Sequence, residues 1–264
     1  MRYINIIILS LILIFINGCS TKTVQNNNIT TKTQIEDIDI EEDEFLDEFE
    51  EEMKLEEVYD PFAGYNRMMT TFNDNLYEYV ISPTAKGYRA ITHEEVRDSV
   101  DNFFNNLLFP VRFVNNLLQG KFQNVAEETG RFLINTTVGV LGLFDPAKSY
   151  FGLKQHNEDF GQTLGVYGVG SGPHIVLPFL GPSNLRDMIS MYPDSMINPI
   201  DSSNKIDYKI TDEYGETLLL KAYNQVNNVA IGKDEYKILK KDAVDLYPYL
   251  RDVYEQYREK QIKE

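Results

Sequence analysis

Beyond residue 58, apolar positions recur mainly at helical spacing. Phe62, Tyr65, Met68, Met69, Phe72, Leu76, Tyr79 and Val80 predict one helix, with Asp60 as its cap and Pro61 at its first position. Thr92-His93-Glu94-Glu95 reads as a capping box for a helix through Val96, Val100, Phe103, Phe104 and Leu107. Pro110 lacks the N–H a helix interior uses, so it interrupts or kinks the path, and VRFVNNLLQG then resumes as far as Gly120. A further helix spans about Phe122 to Thr137. Others follow a Ser183 cap, then run from Thr211 through Leu218, Leu219, Ala222, Tyr223 and Val226, and from Asp234 through Ile238, Leu246, Leu250, Val253 and Tyr257. The predicted class is mainly α.

One interval breaks this pattern. Glycines at 139, 142, 152, 161, 165, 168, 170, 172 and 181 are too dense for a stable helix, because each adds entropy to the unfolded chain, and the interval reads as loop or hairpin. It carries no phosphate loop, since His174-Ile175-Val176-Leu177-Pro178 after the glycines cannot begin a helix and no GK[ST] occurs. Ser171 lacks the spacing of a G-x-S-x-G nucleophile elbow. His93, His156 and His174 read as first-turn and loop residues, and the mixed set Asp145, His156, Glu158 and Asp159 reads as a solvated loop with caps. No catalytic residue, cofactor or metal is expected.

The charge is uneven along the chain. Of the formal −16, residues 36–57 carry −13, from fourteen acids against Lys54, so the remainder is nearly balanced. No basic footprint for nucleic acid is evident. Phe45, Phe49 and Met53 could form an acidic amphipathic helix, but the run reads mainly as a self-repelling linker. At the start, Arg2 precedes an apolar run from Ile4 to Ile16 of signal-peptide length. Ile16-Asn17-Gly18-Cys19 then resembles a lipobox, whose cysteine is lipidated; an ordinary cleavage site or an uncleaved anchor is the alternative. Acyl chains there, at about 0.8 kcal/mol per buried CH₂, would hold the protein on a membrane. The expected organisation is a signal peptide over 1–18, a lipidated tether over 19–57 and one helical domain over 58–264.

Several stretches together resemble the MlaA (VacJ) family of phospholipid-transport lipoproteins. Asp60-Pro61-Phe62-Ala63-Gly64-Tyr65-Asn66-Arg67 is similar to its D-P-x-x-G-[FY]-N-R opening, and Arg131-Phe132 through Asn135 and Gly139 to its R-F-x-x-N-x-x-x-G segment. Phe144-Asp145-Pro146-Ala147 follows as in the family. Glu158 to Gly170, Gly172-Pro173 and Leu177 to Asp187, with Arg186-Asp187, complete the resemblance, which is strongest over 58–210. Departures are Ala63, Ser171, and His174 in place of the usual aromatic.

The resemblance implies a ring-shaped single helical domain in the inner leaflet of an outer membrane, embedded from the periplasmic side, with a central amphipathic channel. A glycine-rich hairpin, about Phe160 to Phe179, would border that channel. Gly168 and Gly170 would be its hinge, and Phe160, Tyr167, His174, Leu177 and Phe179 its channel or hairpin side chains. It implies removal of phospholipid from the outer leaflet, association with a trimeric porin and delivery to a soluble periplasmic carrier. A porin-scaffolding surface lipoprotein and a phospholipase are the alternatives.

Physics independently favours a shielded path for such a task. A two-chain lipid exposes on the order of thirty methylenes, more than about 20 kcal/mol through water. A charged headgroup in hydrocarbon costs several kcal/mol, so one side of the path must be polar. No run after Cys19 reaches eighteen uninterrupted apolar residues, so sideways embedding is expected rather than spanning. Without an ATP site, the conduit would be passive.

Overall fold

A computed structural model of the chain describes residues 60–204, 209–232 and 235–264, all within the unit Val58–Glu264. The expected signal peptide, Cys19 and the expected tether lie outside the described residues.

Helix α1 (Ala63–Leu76) continues through one π-helical turn (Tyr77–Ile81) into α2 (Ser82–Ile91). Pro83, in the first turn of α2, has no N–H to return to the preceding turn, and the path widens there instead of breaking. Next come α3 (Glu94–Leu107) and α4 (Phe109–Leu118), with Pro110 in the first turn of α4 as a tolerated position. Gly120, at φ +73°, turns the chain so that α5 (Phe122–Thr137) returns against α4. Short helices α6 (Pro146–Phe151) and α7 (Phe160–Val166) follow.

The one sheet among the described residues is a hairpin of β1 (His174–Leu177) and β2 (Gly181–Asn184). It is antiparallel, with His174 opposite Asn184 and Leu177 opposite Gly181. After it come α8 (Leu185–Ile197), α9 (Tyr214–Ala230) on α2 and α3, α10 (Glu235–Asp242), and α11 (Leu246–Lys263), which packs against α7, β2 and α1. The mainly helical class expected from periodicity is the class observed.

Several local expectations are corrected. Thr92 does not open α3; its hydroxyl donates to Tyr88 O at 2.6 Å and closes α2 instead, leaving His93 before α3 without a side-chain cap bond. Asp60 does not cap α1, because its carboxylate is drawn to Tyr247 and Asn66. Asn184 rather than Ser183 caps α8, accepting from Asp187 N–H at 2.9 Å. The last periodic stretch is two helices, since Asp245 caps α11 afresh by accepting from Tyr247 N–H at 3.3 Å.

The glycine-dense interval is also not all loop or hairpin, and the hairpin expected over about Phe160 to Phe179 lies instead at His174–Asn184, beyond Gly168 and Gly170, because Phe160–Val166 forms α7. Its glycines serve close packing. A Cβ on Gly161 would stand 2.3 Å from Asp187 Oδ1, and one on Gly165 would stand 2.4 Å from Ile262 Cδ1. The missing side chains let α8 and α11 approach α7, which outweighs the helix-propensity penalty of roughly 1 kcal/mol per glycine.

The distribution of polarity is inverted relative to a water-soluble domain. Among the described residues, ten hydrophobic side chains are buried against twenty-four polar or charged ones. The largest completely enclosed side chains include Gln162, Glu128, Asn66, Asn115, Asn116, Asn184 and Asn227, with Val176 the only large apolar one beside them. A small apolar core, Tyr77, Ala85, Val229 and Ala230, joins the π turn, α2 and α9. Conversely, thirty-four large hydrophobic residues are exposed, among them Ile91, Phe122, Val138 and Tyr150. Single exposed apolar residues are ordinary, but this many, against a polar interior, mark an interaction surface.

Candidate functional site: a polar interior around a clamped hairpin

Asn66 and Asn73 lie seven residues apart on α1, two helical turns on one face. The Asn66 amide donates to His174 O at 3.0 Å and its oxygen accepts from Val176 N–H at 2.8 Å. Asn73 repeats the pattern further along, donating to Leu177 O at 2.9 Å and accepting from Phe179 N–H at 2.8 Å. Each side chain therefore supplies the donor and acceptor that a neighbouring strand would offer, so a helix covers backbone groups of a two-stranded sheet. Asn66 is completely buried and also meets Asp60 Oδ1 and Tyr247 OH, both at 3.1 Å. The Tyr247 hydroxyl donates to Asp60, and burial followed by that carboxylate pushes it up to about 12. Asn73 has no place in the motif reading; the only signal for it is its seven-residue offset from Asn66.

The far side of the hairpin is held by α11. His174, fully enclosed, places Nδ1 2.9 Å from Glu255 Oε1, while Asn184 Nδ2 donates to Glu255 Oε2 at 3.3 Å. One carboxylate thus bridges β1 and β2. His174 Nε2 is buried without a partner.

Arg258, on the next turn of α11, joins the N-termini of two helices. It donates through both terminal nitrogens to Asp159 at 2.7 and 2.8 Å and through Nε to Asp187 at 2.8 Å. Asp159 caps α7 in a capping box with Gln162, and Asp187 lies in the first turn of α8. Asp187 also accepts from Tyr254 OH at 2.7 Å and Arg186 Nε at 3.0 Å. Burial pushes its carboxyl up, but the Arg258, Arg186 and Tyr254 bonds together hold it below the usual range.

A third cluster joins the two middle motifs. Arg131 Nη2 donates to Asp145 Oδ2 at 2.7 Å and Asn135 Nδ2 to Asp145 Oδ1 at 2.9 Å, so residues one turn apart on α5 hold the cap of α6. Ala147 N–H returns to Asn135 Oδ1 at 3.0 Å. Nearby, Arg112 and Glu128 form an enclosed ion pair at 2.8 Å. A small polar recess of about 20 Å³, room for a water molecule, lies beside them, lined by Asn102, Asn106, Arg112, Arg131 and Asn135 among others.

The remaining expected site residues do not gather at one place. Arg67 pairs with Asp245 at 2.6 Å on the surface, and Pro61 is exposed in the turn before α1. Phe160 opens α7, Tyr167 is exposed with its hydroxyl on Leu118 O at 2.6 Å, and Leu177 is half-buried at the end of β1. Phe179 is exposed, sits at φ +67° in the hairpin turn and meets Phe72 edge-on at 5.3 Å. Gly168 has the positive φ a hinge glycine uses, +85°, whereas Gly170 does not; the left-handed argument applies to Gly168 alone. The mixed set of Asp145, His156, Glu158 and Asp159 is dispersed among separate partners: Arg131, Glu127, Lys121 and Arg258.

The family model of the MlaA lipoprotein matches residues 58–261. An uncharacterized protein of Rickettsia typhi is 40% identical over 167 residues, 60% of this chain and 66% of that protein. A Rickettsia bellii protein is 34% identical over 78% of both chains. The intermembrane phospholipid transport system lipoprotein MlaA of Escherichia coli is 41% identical over 132 residues, 48% of this chain, which spans only 52% of that protein. A solved structure, described as the structural basis for maintenance of bacterial outer membrane lipid asymmetry, aligns with a TM-score of 0.64 at 29% identity, covering 77% of this chain and 98% of that one. From the motif clusters at Asn66, Asn135 and Asp187 to the helical architecture, the chain belongs to the MlaA lipoprotein family.

Proposed function

We propose that this protein is a passive phospholipid conduit of the outer membrane, anchored through a lipidated Cys19 and embedded from the periplasmic side. It takes phospholipid that has strayed into the outer leaflet and hands it to a soluble periplasmic carrier, beside a trimeric porin, without covalent chemistry. The related E. coli protein is named for intermembrane phospholipid transport, and the solved structure concerns outer membrane lipid asymmetry.

The observation that carries this reading is the inversion of polarity. Exposing a large apolar side chain to water forfeits about 1.5–3 kcal/mol, a loss that hydrocarbon surroundings remove. Among the described residues, no helix is long and apolar enough to cross a membrane, so contact with acyl chains along helix flanks is the arrangement proposed. The polar interior would give a headgroup hydrogen-bonding partners while its chains stay among lipid. The hairpin clamped by α1 and α11 would border that path.

Lipid mass spectrometry of the detergent-extracted protein tests the reading. Phospholipid should co-purify in stoichiometric amount, and a Cys19→Ala variant should lose membrane attachment. Lipid-free protein would oppose the conduit, and lipid cleavage lost on Ser171→Ala or His174→Ala would make it a phospholipase.

A further inference from the structure

The connection from α5 to α6 combines three features. From Phe132 to Phe144, thirteen consecutive residues carry no charge. Val140 and Leu141 adopt φ +53° and +58°, followed by Gly142 at +88°. Bulky residues rarely occupy that region, least of all a β-branched valine, and their persistence there points to a role for the side chains. Those side chains face outward: Val140 is 54% exposed and Leu141 66%, beside the exposed Val138, Phe144 and Leu133.

The backbone is tied into its own structure. Six of the seven N–H groups from Val138 to Phe144 donate to backbone carbonyls: Val138 and Gly139 to Ile134, Leu141 to Thr136, Gly142 to Asn135, Leu143 to Val140 and Phe144 to Gly139. The left-handed turn makes these bonds possible. The polar side chains are spent internally as well. Asn135 holds Asp145 and Ala147 N–H, Thr136 accepts from Asn106, and Thr137 donates to Leu133 O. The flanking charges, Arg131 and Asp145, turn inward onto each other at 2.7 Å. A loop facing water needs none of this, and one facing a protein would keep polar groups for its rim. Hydrocarbon demands it, because each unsatisfied group there costs several kcal/mol.

We propose that Val138–Phe144 is a preformed wedge that inserts among acyl chains and sets how deeply the protein sits in the bilayer. This rests on the membrane-embedded reading above. Lys148 and Tyr150, exposed on the α6 that follows, are residue types suited to the headgroup level.

The chain has no tryptophan, so a single introduced one reports without background. Full-length Leu141→Trp and, as a reference on another exposed apolar position, Phe122→Trp would be reconstituted in phosphatidylethanolamine–phosphatidylglycerol vesicles, with circular dichroism confirming the fold. Acyl-chain-brominated lipid should quench at least half of the Leu141→Trp emission, while aqueous iodide should leave it nearly unchanged. Iodide quenching of Leu141→Trp would overturn the wedge, as would shielding from both quenchers, which means protein covers it. If Phe122→Trp reaches brominated lipid and Leu141→Trp does not, the wedge alone fails; if neither does, the embedded reading fails with it.

Discussion

Asn66 and Asn73 stand two turns apart on one helix and each pairs with one carbonyl and one N–H in the hairpin, His174 and Val176 for the first, Leu177 and Phe179 for the second. Side chains of a helix thus do what a third strand would do, and they bring the interior polarity up to the hairpin's edge.

Removing Asn66 should be the more damaging of the two changes. Asn66→Ala leaves a buried carbonyl and a buried N–H unpaired, an expected loss of roughly 2–4 kcal/mol. Asn73→Ala acts at a part-exposed site and should cost about 1 kcal/mol. Chemical denaturation gives the totals, and hydrogen exchange at the Val176 amide should accelerate only in the first variant.

Arg258 supports two carboxylates at once. Arg258→Ala should destabilise by roughly 3–5 kcal/mol, because Asp187 is left as a buried charge with only part of its partners. Gly161→Ala should act at the same place by overlap, its Cβ 2.3 Å from Asp187 Oδ1. Arg258→Lys, keeping the charge but not the fork, should fall between wild type and alanine in thermal unfolding. Equal melting of all four proteins would refute the hub.

The buried carboxylates respond to pH in opposite senses. Burial above all raises Asp194 to about 6, against bonds from Phe160 N–H and Asn115, with Asp159 adding to the rise. Its folded value lies above the unfolded one, so its stabilising contribution is full below the unfolded value and is lost as pH climbs through about 6. Asp145 and Asp187 run the other way. Burial raises both, but hydrogen bonds led by Arg131 and Arg258 respectively outweigh it, so their contribution holds above the ordinary carboxylate range and is lost as pH falls through their lowered values. The unfolding free energy should therefore drop between about pH 5 and pH 7.5, by on the order of 1–2 kcal/mol, and Asp194→Asn should flatten that slope.

The two glycines expected to form a hinge should separate. Gly168→Val forces a β-branched residue to φ +85° and should destabilise by about 1 kcal/mol or more. Gly170→Val meets no atom within 4 Å at its Cβ and should be nearly neutral. If hairpin movement gates lipid passage, outer-leaflet phospholipid should accumulate in cells with the first variant and not the second; the same surface lipid in both would argue against gating.

Much of the scaffold was legible because its signals are local. The helix over Phe122–Thr137 is bounded as its periodicity predicts, and Pro110 and Gly120 stand at helix ends, since a missing N–H and a left-handed turn act within one turn of chain. Thr92 and Asp60 misled for the opposite reason. Their side chains had competing partners, Tyr88 O nearby and Tyr247 far along the chain, that outbid the expected cap. The helix over Phe160–Val166 was hidden because glycine's weak helix propensity is visible in sequence, whereas Asp187, Arg258 and Ile262 crowding against Gly161 and Gly165 are not.

By itself the sequence determined a mainly helical chain with apolar stripes, an acidic run over 36–57 and four ordered motifs. Tertiary structure alone decided what those motifs are for: Asn66, Asn135 and Asp187 turn out to be interior hydrogen-bonding hubs. It also decided which way the stripes face. Periodicity records that one side of a helix avoids water, but it is the same whether that side meets a protein core or acyl chains. Only the packed fold, with Glu128 and Gln162 enclosed and Phe122 and Leu141 outside, shows that those sides do not form the core.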